Sequence, residues 1–377
     1  MCVKKIIAFL LAAALSLTAL SGCGDLDSLQ RQYQQKHPYE EAFETFAPET
    51  VMVTVGEAEI TWQALFHWIF FNTTEYEKDN GDITDWNQTL ETGKTVAEHI
   101  LTLALSNCLE YAYVEAAMLD MGVEINANVR QSAQDQALSE ASNFASYDEF
   151  VDAIEAEYST EDYYIYTKMM SAMYSALYYN RFGSGGEFME EKEILDYYAD
   201  DGYMMAKMIR LYRTDMRTGE TLSDEEWAER REHCQWILDQ LAVCETSEEL
   251  ETRFTELMVE NTEDTSLERF PDGYVFQETD MNAAIIEGVQ ELEEYEYSGI
   301  IDAEDSYVIA MRLPVSVDVV PLSQAQYIDY GYYYTLRYLA SVEMYNEIVV
   351  NWTTQFPAQF SAEYEALDLA ELLSDKK

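Results

Sequence analysis

Positive charge is what this 377-residue chain has least of. It carries 22 Lys and Arg against 72 Asp and Glu, a formal net charge of −50. Such a surface repels nucleic-acid phosphate and anionic lipid headgroups, which excludes nucleic acid and any other partner held through a basic patch. Histidines number 4, and the only one between Glu187 and Val320 is His233. That residue adjoins Cys234 instead of standing at a ligand spacing, and Asp79-Asn80-Gly81-Asp82 lacks the spacing and distal glutamate of a calcium hand, so no metal is expected. No cofactor is expected either. Cysteine is sparse: past Cys23 there are Cys108, Cys234 and Cys244, an odd number. The last two read as lying on one helix, about 15 Å apart, against the ~5.5 Å that a disulfide requires. All three therefore read as buried thiols.

Long apolar runs are missing as well. The one run, Ile6 to Leu20, follows Lys4 and Lys5 and is too short to span a bilayer as a helix. It has the form of an export signal. Its end, Leu20-Ser21-Gly22-Cys23, resembles a bacterial lipobox, whose cysteine is acylated and becomes the new N-terminus; two acyl chains give stable anchoring. The expectation is a signal peptide over 1–22, lipidation at Cys23 and a lipid-anchored protein on the extracytoplasmic face of the cell membrane.

What the chain has in quantity is apolar and aromatic residues, 48% and 13%. These suffice to bury a substantial core, unlike acidic disordered tails. Residues 23–48 read as a polar tether. Val51, Val53 and Val55 alternate, Gly56 turns the chain, and Thr61 caps a helix with an apolar stripe of Trp62, Leu65, Phe66, Ile69 and Phe70. Helical periodicity continues over 95–121, 126–141, 147–158 and 160–179. Gly183-Ser184-Gly185-Gly186 is the clearest candidate for a flexible joint, and it ends a helical N-terminal lobe over 49–186.

An α+β pattern follows over 187–315. "GYMMAKMIRLY" alternates as a strand, with Met205, Lys207, Ile209 and Leu211 on one face and Met204, Ala206, Met208 and Arg210 on the other. Capping boxes at Ser223-x-x-Glu226 and Thr246-x-x-Glu249 open two helices. Strand-like pieces lie at Tyr274 to Phe276 and in "DSYVIAMRLPV". Over 316–377 a long helix bearing Leu336, Leu339, Val342, Tyr345, Val349 and Trp352 and a short extended tail are expected to pack on the N-terminal lobe.

In this order and spacing the segments resemble the PrsA/SurA-type foldases. "VTVGEAEIT" is similar to the start of their N-terminal lobe, and "EKEILDYYADDGYMMAKMIRL" to the helix and first strand of a parvulin peptidyl-prolyl isomerase domain. "ENTEDTSLERFPDGYVF" is similar to the acidic turn and glycine-rich loop, and "YEYSGIIDAEDSYVIAMRL" to the last two strands. The resemblance implies an α+β protein, a mainly helical chaperone lobe with an inserted parvulin-like domain. It also implies a cage of two histidines and an Asp or Cys around the twisting amide, at positions that fall on Met208, Val308 and Asp264. Met281 and Ile285 take the pocket methionine and phenylalanine positions, and the double glycine is reduced to Phe270-Pro271-Asp272-Gly273.

Methionine and valine cannot make the cage's hydrogen bonds, so no catalytic residue is assigned. The expected function is a membrane-anchored chaperone or foldase that binds unfolded or extended exported polypeptides, with an inactive parvulin-like domain. An active prolyl isomerase and a binding or scaffold lipoprotein without chaperone action stay open. Doubled tyrosines cannot all point inward on a helix, so Tyr163, Tyr164, Tyr178, Tyr179, Tyr332 and Tyr333 are the candidate client-binding surface.

Overall fold

The structure, a computed structural model, describes residues 39–373. The expected export signal, the expected lipidation at Cys23 and the first part of the expected tether lie outside the described residues. The architecture is α+β, in two units: residues 39–183 with 345–373, and Ser184–Met344.

In the first unit, β1 (Val51–Val55) pairs antiparallel with β2 (Ala58–Thr61) on one edge and with β7 (Ala358–Phe360), far along the chain, on the other. Thr61 then accepts a hydrogen bond from Ala64 N and starts α1 (Trp62–Asn80). Trp62, Leu65, Phe66, Ile69 and Phe70 are all buried, the stripe expected from their spacing. α2 (Val96–Met121) opens on a complete Thr95–Glu98 capping box and stops at Gly122 in the left-handed conformation. α3 (Ala127–Ala141), α4 (Tyr147–Ala156) and α5 (Glu161–Phe182) complete the helical layer.

The tether proves shorter than its polar composition suggested. Tyr39 and Ala42 are buried, Phe43 packs on Phe66 with ring centroids 5.3 Å apart, and Trp62 Nε1 donates to Phe43 O at 2.7 Å. Aromatic residues at 39, 43 and 46 give this stretch enough apolar surface to join the core. Tyr158 holds it from the other side: its ring contacts Phe43, Phe66 and Phe70, and its hydroxyl accepts from Tyr39 N at 2.9 Å. Tyr158 does so from a left-handed backbone, φ +56°, a strain that this packing must offset.

In the second unit four antiparallel strands lie in the order β4-β3-β6-β5: β4 (Tyr274–Phe276), β3 (Met204–Tyr212), β6 (Ser306–Leu313) and β5 (Ile301–Asp302). α6 (Asp224–Leu241) and α7 (Ser247–Asn261) pack on one face, and α8 (Ala283–Gln290) on the other. Ser223 and Glu226 form the full capping box. Thr246 caps α7 alone, because Glu249 reaches back to Glu245 N and not to Thr246 N. α6 ends at Leu241, so Cys244 lies beyond the helix that holds Cys234; both, like Cys108, are free thiols, and Cys244 is only half-buried.

Alternation along β3 sends Lys207 to the α7 face, where its ammonium is buried and meets Glu251 Oε1 and Thr255 Oγ1, each at 2.9 Å. The unit extends well past residue 315. Leu322, Ala325 and Ile328 pack on its core, Val275 bridges to Pro321, and α9 (Leu336–Gln355) gives its residues up to Met344 to this unit and the rest, from Tyr345, to the first.

Gly186, in the second unit, is closely packed. Gly186 is buried at φ +86°, and a Cβ built there would lie 2.8 Å from Arg337 O. Here glycine serves close approach of two backbones.

A buried carboxyl makes the first unit sensitive to pH. Burial pushes the Glu157 carboxyl up to about 7. Burial likewise holds His67, ringed by Trp68 and Tyr163, down to about 4, while its Nδ1 donates to the Glu157 carbonyl at 2.9 Å. A carboxyl raised in the folded state contributes stability below its unfolded pKa and loses it as pH rises through 7. A lowered imidazole does the reverse, so between about 4.5 and 6.5 the two slopes oppose each other. Glu157→Gln removes only the first. It should stabilise the protein at pH 8 by up to about 3 kcal/mol and by little at pH 4, as read by urea unfolding at the two pH values; a pH-independent effect would refute the assignment.

Candidate functional site

The long β3–β6 ladder sets the site. Its register pairs Met208 with Ala310 and Arg210 with Val308, which puts all four side chains on the α8 face. Met208 and Val308 are 5% and 0% exposed. Around them the core gathers Ile285 and Ile286 from α8, Phe270 and Tyr274, with Met281 packed against its edge. Four of the five positions taken from the parvulin resemblance therefore meet in one apolar cluster.

The fifth, Asp264, sits half-buried beside it. The segment 262–264 covers the part of β3 that β4 leaves open: Glu263 N donates to Arg210 O at 2.8 Å, Arg210 N to Thr262 Oγ1 at 3.1 Å, and Tyr212 N to Glu263 Oε2 at 2.8 Å. Asp264 next caps the 3₁₀ turn Thr265–Glu268 by accepting from Ser266 N at 2.9 Å. Its other oxygen accepts from the Tyr274 hydroxyl at 3.1 Å. Tyr274 lies opposite Ala206 and hence on the same face as Met208.

Burial, and then the Asp264 charge, push the Tyr274 phenol far up, so it stays a neutral donor. Burial and Asp264 also raise Tyr212. Arg210 closes the row: Nε donates to Ser306 Oγ at 2.9 Å, an Nη to Asp305 Oδ1 at 3.2 Å, and the guanidinium lies 4.8 Å from the Tyr212 ring centroid. Burial opposes the charge on Asp305, yet the Ser306 hydroxyl and Arg210 hold it below the usual carboxylate range. Asp264, Tyr274, Arg210, Ser306 and Asp305 each have a partner within this border.

Imidazole is missing from the cluster. His233 rides on α6, which packs on the opposite face, where Nε2 meets Asn261 Oδ1 at 2.9 Å and the ring stacks on Trp236. Among the described residues no group of three His, Cys, Asp or Glu is placed to hold a metal, and no helix is long and apolar enough to cross a membrane.

The candidate tyrosines separate into two kinds. Tyr163 accepts from Trp68 Nε1 at 2.9 Å and stacks on Tyr166; Tyr164 bonds the Glu140 carboxylate and meets Phe150 edge-on; Tyr178 packs on Phe182 and Tyr345. These three are packing residues of the first unit, since each finds a ring or acceptor on a neighbouring element. Tyr179, Tyr332 and Tyr333 are exposed. The sequence reading missed Tyr274, Arg210 and Ser306. A buried phenol demands an acceptor, but no spacing identifies Asp264, ten residues away, as that acceptor.

Tyr274→Phe leaves Asp264 its cap bond and should cost about 1 kcal/mol; Asp264→Ala also orphans a buried hydroxyl and should cost about 2–3 kcal/mol. Urea unfolding checks the order, and equal costs would contradict the geometry.

No family model matches the chain, and no curated protein matches it. Solved structures similar to it include the foldase protein PrsA of Streptococcus pneumoniae, at 12% identity over 75% of this chain and 96% of that one, TM-score 0.22. The peptidylprolyl isomerase PrsA of Bacillus anthracis is 11% identical over 67% and 96%, TM-score 0.23. That of Bacillus cereus is 14% identical over 78% and 97%, TM-score 0.25. At such identities and TM-scores the likeness carries no weight, and the functional reading rests on the chain's own residues.

Proposed function

We propose that this chain is a membrane-anchored, extracytoplasmic chaperone of the PrsA/SurA type that holds unfolded or extended exported polypeptides, and that its parvulin-like unit does not isomerise proline. The observation that carries the reading is the content of the cage. Rotation about the bond before proline is slow because the amide must lose its resonance. Catalysing it without a covalent step calls for hydrogen-bonding groups arranged around the twisting amide. Met208 and Val308, which the resemblance sets at the two histidine positions, are buried apolar residues. Asp264, in the third, is engaged by Ser266 N and Tyr274.

Holding a chain needs no such cage. Apolar and aromatic surface is enough, and Met281, at the cluster's edge, with the exposed Tyr179, Tyr332 and Tyr333 supports that role. The net charge of −50 keeps loaded complexes apart. Anchoring through Cys23 and the extracytoplasmic location rest on the Leu20-Ser21-Gly22-Cys23 sequence.

The test is refolding of a proline-limited client together with aggregation of an unfolded one. Stoichiometric protein should suppress aggregation, and sub-stoichiometric protein should leave the slow refolding phase unchanged. Acceleration at catalytic amounts would overturn the non-catalytic reading, and failure to suppress aggregation of any client would overturn the chaperone reading.

A further inference from the structure

The turn that follows Pro321 is a built object. Tyr330 N donates to Tyr327 O, Gly331 N to Ile328 O and Tyr332 N to Tyr327 O, at 2.9–3.1 Å, with Gly331 at φ +81°. Underneath, Leu322, Ala325 and Ile328 pack on the Met208–Val308 core, and Arg269 pairs with Asp329 at 3.2 Å. On top, Tyr332, Tyr334 and Tyr338 form a stack, with centroids 5.7 and 5.1 Å apart and planes within 10° and 21°. Tyr330, Tyr332 and Tyr333 are 77%, 55% and 66% exposed. Three large rings left in water on a firmly held turn are an interaction surface.

Charge identifies the occupant. Between Pro321 and Thr335 the only charged side chain is Asp329, which pairs with Arg269, and the chain as a whole is strongly acidic, −50 overall. Tyrosine faces attract cations through the ring quadrupole, guanidinium best among side chains because it is planar, weakly hydrated and able to stack. The long-range field draws the same partner in.

We infer that the tyrosine turn 327–334 is the docking platform for arginine-bearing, extended segments of client polypeptides. This selects a client chemistry and rests on the chaperone reading. The acidic field gathers cationic chains of any kind, and the rings then discriminate arginine from lysine.

The experiment measures binding of the full chain to fluorescein-labelled unstructured peptides of equal length, identical except that their charged positions are all Arg, all Lys or all Glu, at low and high salt. Arg and Lys peptides should bind alike at low salt. At high salt, where the field is screened, the Arg peptide should retain an advantage of about tenfold, which the exposed-site triple variant Tyr330→Ser, Tyr332→Ser, Tyr333→Ser abolishes. The exposed Val243→Ser should leave it intact, and circular dichroism should show both variants folded as wild type.

Equal Arg and Lys binding at high salt, an advantage that survives the triple variant, or tyrosine-dependent binding of a neutral oligosaccharide in place of the Arg peptide would overturn the platform. A protein that suppresses aggregation without arginine preference loses this inference alone. One that binds the Arg peptide through these rings yet never suppresses aggregation loses the chaperone reading alone.

Discussion

The second unit depends on the ladder between β3 and β6. Eight residue pairs run from Met205↔Leu313 to Tyr212↔Ser306, and the side-chain period of two leaves no freedom in how they are shared between the faces. In this register Lys207 meets Glu251 and Thr255, and Met208 meets the apolar residues of α8. A slip of one residue would bury an ammonium among Ile285, Ile286 and Phe270 and turn Met204 and Met208 toward α7. The penalty for an unpaired buried charge fixes the register as firmly as the apolar packing does.

That register also sets which groups the cluster contains. The ladder brings together the positions where the resemblance calls for imidazoles, and the residues there carry no hydrogen-bonding groups. The polar groups at the border satisfy one another: Tyr274 with Asp264, Arg210 with Ser306 and Asp305. This face is closed over by α8, Phe270 and Tyr274, and the acids and the guanidinium at its border are engaged with one another or with hydroxyls.

Scarcity of positive charge shapes the rest. With few cations available, several serve as internal ties: Lys207 to Glu251, Lys168 to Glu140, Arg230 to Glu263 and Arg337 to Asp318. Lys168 and Lys207 are nearly sequestered, where a paired cation is costly to remove. The excess of acid faces water, and the uncharged tyrosines of 330–334 stand out from it.

Much of this could be read from the chain. Caps at Thr61 and Ser223, the stripe of α1 and the two faces of β3 are local consequences of residue type and spacing. So was the lack of histidine on β3 and β6, since an absent side chain cannot be supplied by folding. What only the tertiary structure decided depends on residues far apart. It turned Tyr163, Tyr164 and Tyr178 into packing residues while leaving Tyr332 and Tyr333 in water, drew Tyr39, Ala42 and Phe43 against the core, and gave Asp264 to Tyr274. Amphipathic side chains such as tyrosine, and acids at turns, are stable inside or outside according to whether a distant partner arrives, and local sequence holds no record of that meeting.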